Sequence, residues 1–168
     1  MQETLLRVNE SKKRKPNRLK NYDYSQNGAY FVTVCIKDRM PILSRITVGA
    51  NCVRLSKIGL TVEREIQKLN TVYDSVLISD YVIMPNHVHL IICIDAEQTT
   101  PAPTVSRIVK QFKGSITKQI GQSIWQKGFY DHIIRDDGDY LIKKQYISDN
   151  PIKWSEDELY FHQTNDKC

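Results

Sequence analysis

Two histidines two residues apart, His87 and His89, stand in the apolar run 87–94, HVHLIICI. Side chains on a strand alternate, so both imidazoles fall on one face while Val88, Leu90, Ile92 and Ile94 take the other. An imidazole pair at this spacing suits Mn2+, Zn2+ or Ni2+, and Mg2+ when a phosphate oxygen completes the shell. Taken alone, the pair better fits two histidines that merely line a surface or the edge of a core. Nearer the end of the chain, Tyr146 and Asn150 lie four residues apart on a stretch of helical pattern, so they project from one side. The Asn150 carbonyl oxygen is a ligand that a hard divalent ion accepts, and the Tyr146 phenol attacks phosphorus once its proton is removed or its charge stabilised. A tyrosine near a helix end followed by Asn-Pro also fits a packing residue and a stop signal. Lys143 and Lys144 precede Tyr146 by less than one turn, and their charge either favours the phenolate of a group whose free pKa is about 10 or is simply solvated on an exposed helix face.

These residues need a scaffold, and periodicity supplies one. Residues 30–36 (YFVTVCI) follow the turn signal Asn27-Gly28 and alternate as a strand, with Tyr30, Val32, Val34 and Ile36 on one face. Residues 57–70 place Ile58, Val62, Ile66 and Leu69 at helical spacing. Residues 75–83 and 88–94 read as neighbouring strands joined by the turn Met84-Pro85-Asn86, and residues 95–104 read as a surface loop with two prolines. Thr104 caps a second helix with the apolar stripe Val105, Ile108, Val109, Phe112, Ile116 and Ile120. A fourth strand is expected over 129–135. Asp136 or Asp137 then caps a helix over about 139–150 that Pro151 stops. The order strand, helix, strand, strand, helix, strand, helix predicts an α+β fold, a ferredoxin-like or RRM-like antiparallel sheet with helices packed on it. No internal repeat is present.

At 168 residues the chain fits one domain with short extensions. We divide it into a basic arm (1–24), a catalytic domain (25–155) and a C-terminal tail (156–168). No window approaches the roughly 18 uninterrupted apolar residues of a membrane helix, and residues 1–20 lack the apolar core of a secretory signal, so the expectation is a cytoplasmic protein without a membrane partner. The four cysteines, Cys35, Cys52, Cys93 and Cys168, are far apart and read as reduced thiols. A net charge of +5 suggests a polyanionic partner. Lys12, Lys13, Arg14, Lys15, Arg18 and Lys20 of the arm, with Arg107, Lys110 and Lys113 on the second helix and Lys143 and Lys144 on the third, are the candidates for contact with nucleic-acid phosphates.

The run YVIMPNHVH (81–89) resembles the HUH motif (His, hydrophobic, His) of the IS200/IS605-like single-tyrosine transposases. RLKNYDYSQNGAYFVTVCIKDR (18–39), VSRIVKQFKGSITKQI (105–120), WQKGFYDHIIRDDGDY (125–140) and YISDNPIKW (146–154) look like the REP-associated tyrosine transposase branch, in family order over most of the chain. The resemblance implies an HUH endonuclease fold in which His87 and His89 bind a divalent ion, Mg2+ or Mn2+. It makes Tyr146 the nucleophile and Asn150 a further ligand. Tyr140, on the same helix, has no Asn four residues later and ranks below Tyr146. The implied activity is metal-dependent cutting and rejoining of single-stranded DNA at hairpin-flanked or REP-like sites, through a 5′-phosphotyrosine. The implied partner is single-stranded or hairpin DNA, handled by a monomer or a homodimer. No GxxxxGK[ST] loop for ATP phosphates is present, in line with a reaction that conserves bond energy. The rival readings are a non-catalytic nucleic-acid-binding module, an HUH replication initiator or relaxase, and a metal-dependent phosphoesterase that releases its product to water.

Overall fold

The computed structural model describes residues 26–47, 52–97 and 101–160. In chain order the elements are β1 (Gly28–Cys35), a 3-10 turn (Lys37–Arg39), β2 (Ser44–Thr47), β3 (Cys52–Leu55), α1 (Lys57–Val72), β4 (Val76–Ile83), β5 (His87–Ile94), α2 (Val105–Ile120), β6 (Tyr130–Ile134), α3 (Asp137–Asp149) and a 3-10 turn (Trp154–Glu156). Four strands form one antiparallel sheet in the order β4-β5-β1-β6. The two β-α-β units β1-α1-β4 and β5-α2-β6 are therefore interleaved, as the expected ferredoxin-like α+β architecture requires. The hairpin β2-β3 lies outside that sheet and was not anticipated. Its strands are four residues long, and of the eight residues only Ser44 is buried, so no apolar alternation marks it in the sequence.

The sheet has two unequal faces. On one, Tyr30, Val32, Val34 and Ile36 meet Val88, Leu90, Ile92 and Ile94, and the apolar stripes of α1 and α2 close over them to form the main core. Both helices begin on side-chain caps that satisfy first-turn N–H groups: Ser56 Oγ accepts from Gly59 N at 3.0 Å and Thr104 Oγ1 from Arg107 N at 3.3 Å. Among the described helices, α3 alone packs on the other face. There Ile91, Ile134 and Ile147 make a small second cluster flanked by Phe31, Val82 and Tyr140, while Leu141 and Ile142 of α3 stay exposed. Apolar burial is thus concentrated on the face away from the histidines, which leaves the thinner face able to hold polar groups.

Two local devices fix geometry near the histidines. First, β4 carries a bulge: Ile78 pairs with Ile92 but Asp80 with Ile91, so Ser79 is the extra residue. Second, the turn between β4 and β5 is tied to residues 36–44. Ile36 N donates to Asn86 O (2.8 Å), Leu43 N to Pro85 O (2.9 Å) and Ser44 Oγ to Ile83 O (3.0 Å). Residues 42–43 are in turn held by the α1 cap, with Ser56 N donating to Leu43 O at 2.9 Å and Ser56 Oγ to Ile42 O at 2.6 Å. The first turn of α1 crosses this strap so closely that a Cβ on Gly59 would lie 2.1 Å from Leu43 O. A Cβ on Gly114, in the exposed middle of α2, would meet nothing within 4 Å. Gly59→Ala is therefore expected to cost about 2–3 kcal/mol through overpacking, and Gly114→Ala to gain roughly 0.5–1 kcal/mol from helix propensity. Urea denaturation of the two variants checks the opposite signs.

Candidate active site

β5 opens with His87 and pairs with β1 in a register that sets His87 opposite Cys35 and His89 opposite Thr33. Alternation then turns both imidazoles to the α3 face, where they are 0% and 3% exposed, and their Nε2 atoms approach to 3.0 Å. The outer ring nitrogens are held by neighbours. His87 Nδ1 lies 2.9 Å from Asn86 Oδ1, and His89 Nδ1 lies 2.8 Å from Thr33 Oγ1. Two carbonyls fix the orientation of the Asn86 amide, whose nitrogen donates to Arg39 O at 3.2 Å and Leu159 O at 2.7 Å. Asn86 Oδ1 can only accept, so His87 Nδ1 carries the ring hydrogen and Nε2 presents a lone pair. Burial pushes the His87 pKa down to about 3. His89 is also held well below the ordinary value, by burial first and by His87 and Lys143 in addition. Both rings are therefore neutral at physiological pH, the form that ligates metal.

α3 and the segment after it close the site. Tyr146 sets its ring edge against His89 (centroids 5.2 Å apart) and against Phe31 (5.7 Å), and Phe31 itself stacks on His89 at 5.1 Å. The phenol ring is 45% exposed, so substrate can reach it. Its pKa is raised, by burial first and by the Asp157 and Glu158 charges, against a hydrogen bond from the Asn150 side chain that lowers it. Asn150, at the end of α3, is 3% exposed, and its Oδ1 has no hydrogen-bond partner. A buried amide oxygen left without a partner is costly, and a cation would satisfy it. After Asn150 the chain turns back, with the Trp154 ring 5.9 Å from His87 and Asp157 Oδ2 4.0 Å from His87 Nε2. His87, His89 and Asp157 offer three ligand atoms that all lie within 4.8 Å of one another. Tyr146, Asn150, Asp157 and Glu158 also line a cavity of about 290 Å3. Two neutral imidazoles with nearby amide and carboxylate oxygens form a donor set suited to a borderline-to-hard divalent ion.

No family model matches the sequence. An uncharacterized protein of Haemophilus influenzae is 32% identical over 169 residues, covering 88% of this chain and 93% of that protein. The REP-associated tyrosine transposase of Escherichia coli is 28% identical over 131 residues, covering 77% of this chain and 70% of its own length. A solved structure of a REP-associated tyrosine transposase bound to a REP hairpin superposes with a TM-score of 0.62 at 24% identity, over 82% of this chain and 74% of that one, and shares the fold. This chain resembles the REP-associated tyrosine transposases in sequence and shares their fold.

The structure brings His87, His89 and Tyr146 of the sequence-predicted set into contact, and Asn150 hydrogen-bonds the Tyr146 phenol. Lys143 joins them, its Nζ 5.3 Å above the Phe31 ring. Lys144 turns toward the sheet edge and pairs with Asp80 at 3.5 Å. Arg107 and Lys110 are exposed on α2, across the sheet from the histidines. Lys113 is half-buried and donates to Gln126 O (2.5 Å) and Gly128 O (2.8 Å). Lys12, Lys13, Arg14, Lys15, Arg18 and Lys20 lie outside the described residues. Tyr140 is held away from the histidines, its hydroxyl 3.0 Å from both Ser79 Oγ and Asp80 Oδ2. Sequence reasoning missed Thr33, Asn86 and Asp157. Strand pairing could have flagged Thr33, but no local signal marks the other two. Asn86→Ala removes three side-chain hydrogen bonds, one buried and two partly buried, and is expected to cost about 3 kcal/mol. The shift of the urea unfolding midpoint at unchanged slope measures it.

Proposed function

We propose that this chain cuts and rejoins single-stranded DNA through a 5′-phosphotyrosine on Tyr146, with a divalent metal held by His87, His89 and Asn150. The observation that carries the reading is the placement of Tyr146. Its ring touches His89 of the same chain, and one turn later Asn150 holds its phenol. Nucleophile and candidate ligands thus assemble within one copy, which favours a monomer as the working unit over a homodimer that exchanges helices.

Bound there, Mg2+ or Mn2+ would supply positive charge to a non-bridging oxygen of the scissile phosphate. Tyr146 Oη attacks phosphorus in line, the P–O3′ bond breaks as the phenol–phosphorus bond forms, and the leaving 3′ oxygen takes up a proton while the phenol's proton passes to solvent. One phosphodiester replaces another, so a later 3′-OH can reverse the step on a new strand without a nucleotide cofactor. Asn150 assists by lowering the cost of charge on the phenol oxygen, partly offsetting the desolvation that raises its pKa.

The partner is single-stranded or hairpin DNA, and the DNA of the hairpin-bound structural relative points to repeats of that kind. The arm residues Lys12 to Lys20, with Arg107, Lys110 and Lys143, track the phosphates, so affinity falls with salt, while Lys113 and Lys144 are engaged by Gln126, Gly128 and Asp80. No described helix is long and apolar enough to cross a membrane, and we place the reaction in the cytoplasm. We propose a division into arm (1–24), catalytic domain (25–155) and tail (156–168), in which the first residues of the tail pack on the catalytic domain.

Incubation of the protein with Mn2+ and labelled single-stranded hairpin DNA is expected to give a covalent adduct that survives denaturing electrophoresis. Tyr146→Phe abolishes the adduct while retaining DNA binding, and a chelator abolishes it without changing the protein. An adduct that persists in Tyr146→Phe moves the nucleophile elsewhere. Cleavage without any adduct indicates water attack, and binding without cleavage under every metal indicates a non-catalytic module.

A further inference from the structure

We infer that Asp157 is the anionic ligand of the metal centre, so that the segment after α3 is part of the active site and is fastened by the ion it helps to hold. The inference rests on the reading of His87 and His89 as ligands and adds to it a residue from a different element.

The Asp157 carboxylate is held in a ligand's posture. Its Oδ1 accepts from Leu159 N at 2.7 Å, which leaves Oδ2 facing His87 Nε2 at 4.0 Å. The side chain is only 7% exposed. Among the described residues no lysine or arginine forms an ion pair with it, although buried carboxylates are ordinarily paired or metal-bound. Asn86 keeps the hydrogen of His87 on Nδ1. At most one ring hydrogen therefore remains among His87 Nε2, His89 Nε2 and Asp157 Oδ2, three electron-pair donors within 4.8 Å. One ring hydrogen shared by the two imidazoles leaves Asp157 Oδ2 unmatched, whereas a cation would satisfy all three donors at once. Asp157 also changes the character of the site. Two imidazoles and an amide are all neutral, and a carboxylate brings the charged oxygen that Mg2+ and Mn2+ favour.

The segment carrying Asp157 is attached to the same residues that orient the histidines. Leu159 O accepts from the Asn86 side chain (2.7 Å), Glu158 O accepts from Arg39 Nη1 (3.4 Å), and Trp154 packs between His87 and Tyr160, its ring centroid 5.9 Å from the first and 5.2 Å from the second. Metal binding and the seating of residues 154–160 are then one equilibrium: the ion pulls the segment down, and the seated segment completes the donor set.

Calorimetric titration of the full chain with Mn2+, without DNA, tests this. Asp157→Asn should weaken binding by at least about a hundredfold, the upper end of what loss of an outer-shell partner costs. Asp157→Glu, which keeps the charge, should retain more affinity than Asn, and Glu156→Gln, an exposed carboxylate on the same segment, should leave it unchanged. Thermal unfolding gives a second readout. Mn2+ should raise the wild-type unfolding temperature by mass action and leave that of Asp157→Asn almost unmoved, while in chelator Asp157→Asn should unfold no earlier than wild type. If Asp157→Asn binds Mn2+ like wild type while His87→Ala does not, Asp157 is outside the ligand set and the proposal fails with the histidine reading intact. If wild type itself does not bind Mn2+, the histidine reading fails first.

Discussion

Asn86 uses its whole side-chain amide on three partners from three parts of the chain, and the site depends on that arrangement. Its two N–H groups reach Arg39 O and Leu159 O, its Oδ1 holds His87 Nδ1, and its own carbonyl accepts from Ile36 N. Only an amide of this length offers donors on one branch and an acceptor on the other. An aspartate would turn a carboxylate toward two carbonyls, and a leucine would leave all of these groups buried without partners. Through this one residue the end of β1, the start of β5 and the segment beyond α3 share a common reference, so a ring nitrogen can be aimed without a loop designed for the purpose.

The division of labour between the two sheet faces explains how so polar a cluster is tolerated. α1 and α2 bury the aromatic and aliphatic groups of every central strand on one side, and that core carries the stability. α3 contributes little to it, with Ile147 its one buried residue. It is held instead by polar anchors, Tyr140 on Ser79 and Asp80 and Lys144 on Asp80. A helix attached in this way can present a half-exposed phenol to substrate without opening the core.

The elements were legible in the sequence because their apolar residues repeat with the period of the structure they form. The strand containing His87 and His89 is the clearest case: the alternation that buries Val88 and Leu90 in one core also fixes the face of both imidazoles. Tyr146 and Asn150 were legible for the matching reason in a helix. What was not legible is non-local. Thr33 reads as an ordinary strand residue until β1 is placed beside β5. Asn86 reads as a turn former, although its side chain bridges to residue 159. Asp157 follows the helix stop, where sequence patterning ends and only the return of the chain gives the carboxylate its place. The β2-β3 hairpin escaped because its short strands bury too little to leave a pattern, and the half-buried position of Lys113 because a helical stripe does not show which lysine will meet loop carbonyls.

The bulge at Ser79 has an effect well beyond its own strand. In an unbroken β4 the alternation begun by Val76 and Ile78 would carry Asp80 into the main core. One extra residue reverses the phase, so Tyr81 and Ile83 take the core positions and Asp80 turns to the opposite face. Both polar anchors of α3 are built on that reversed stretch. A single inserted residue at the outer strand of the sheet therefore selects the surface on which the last helix settles, and with it whether a tyrosine two turns further along meets the histidines of its own chain.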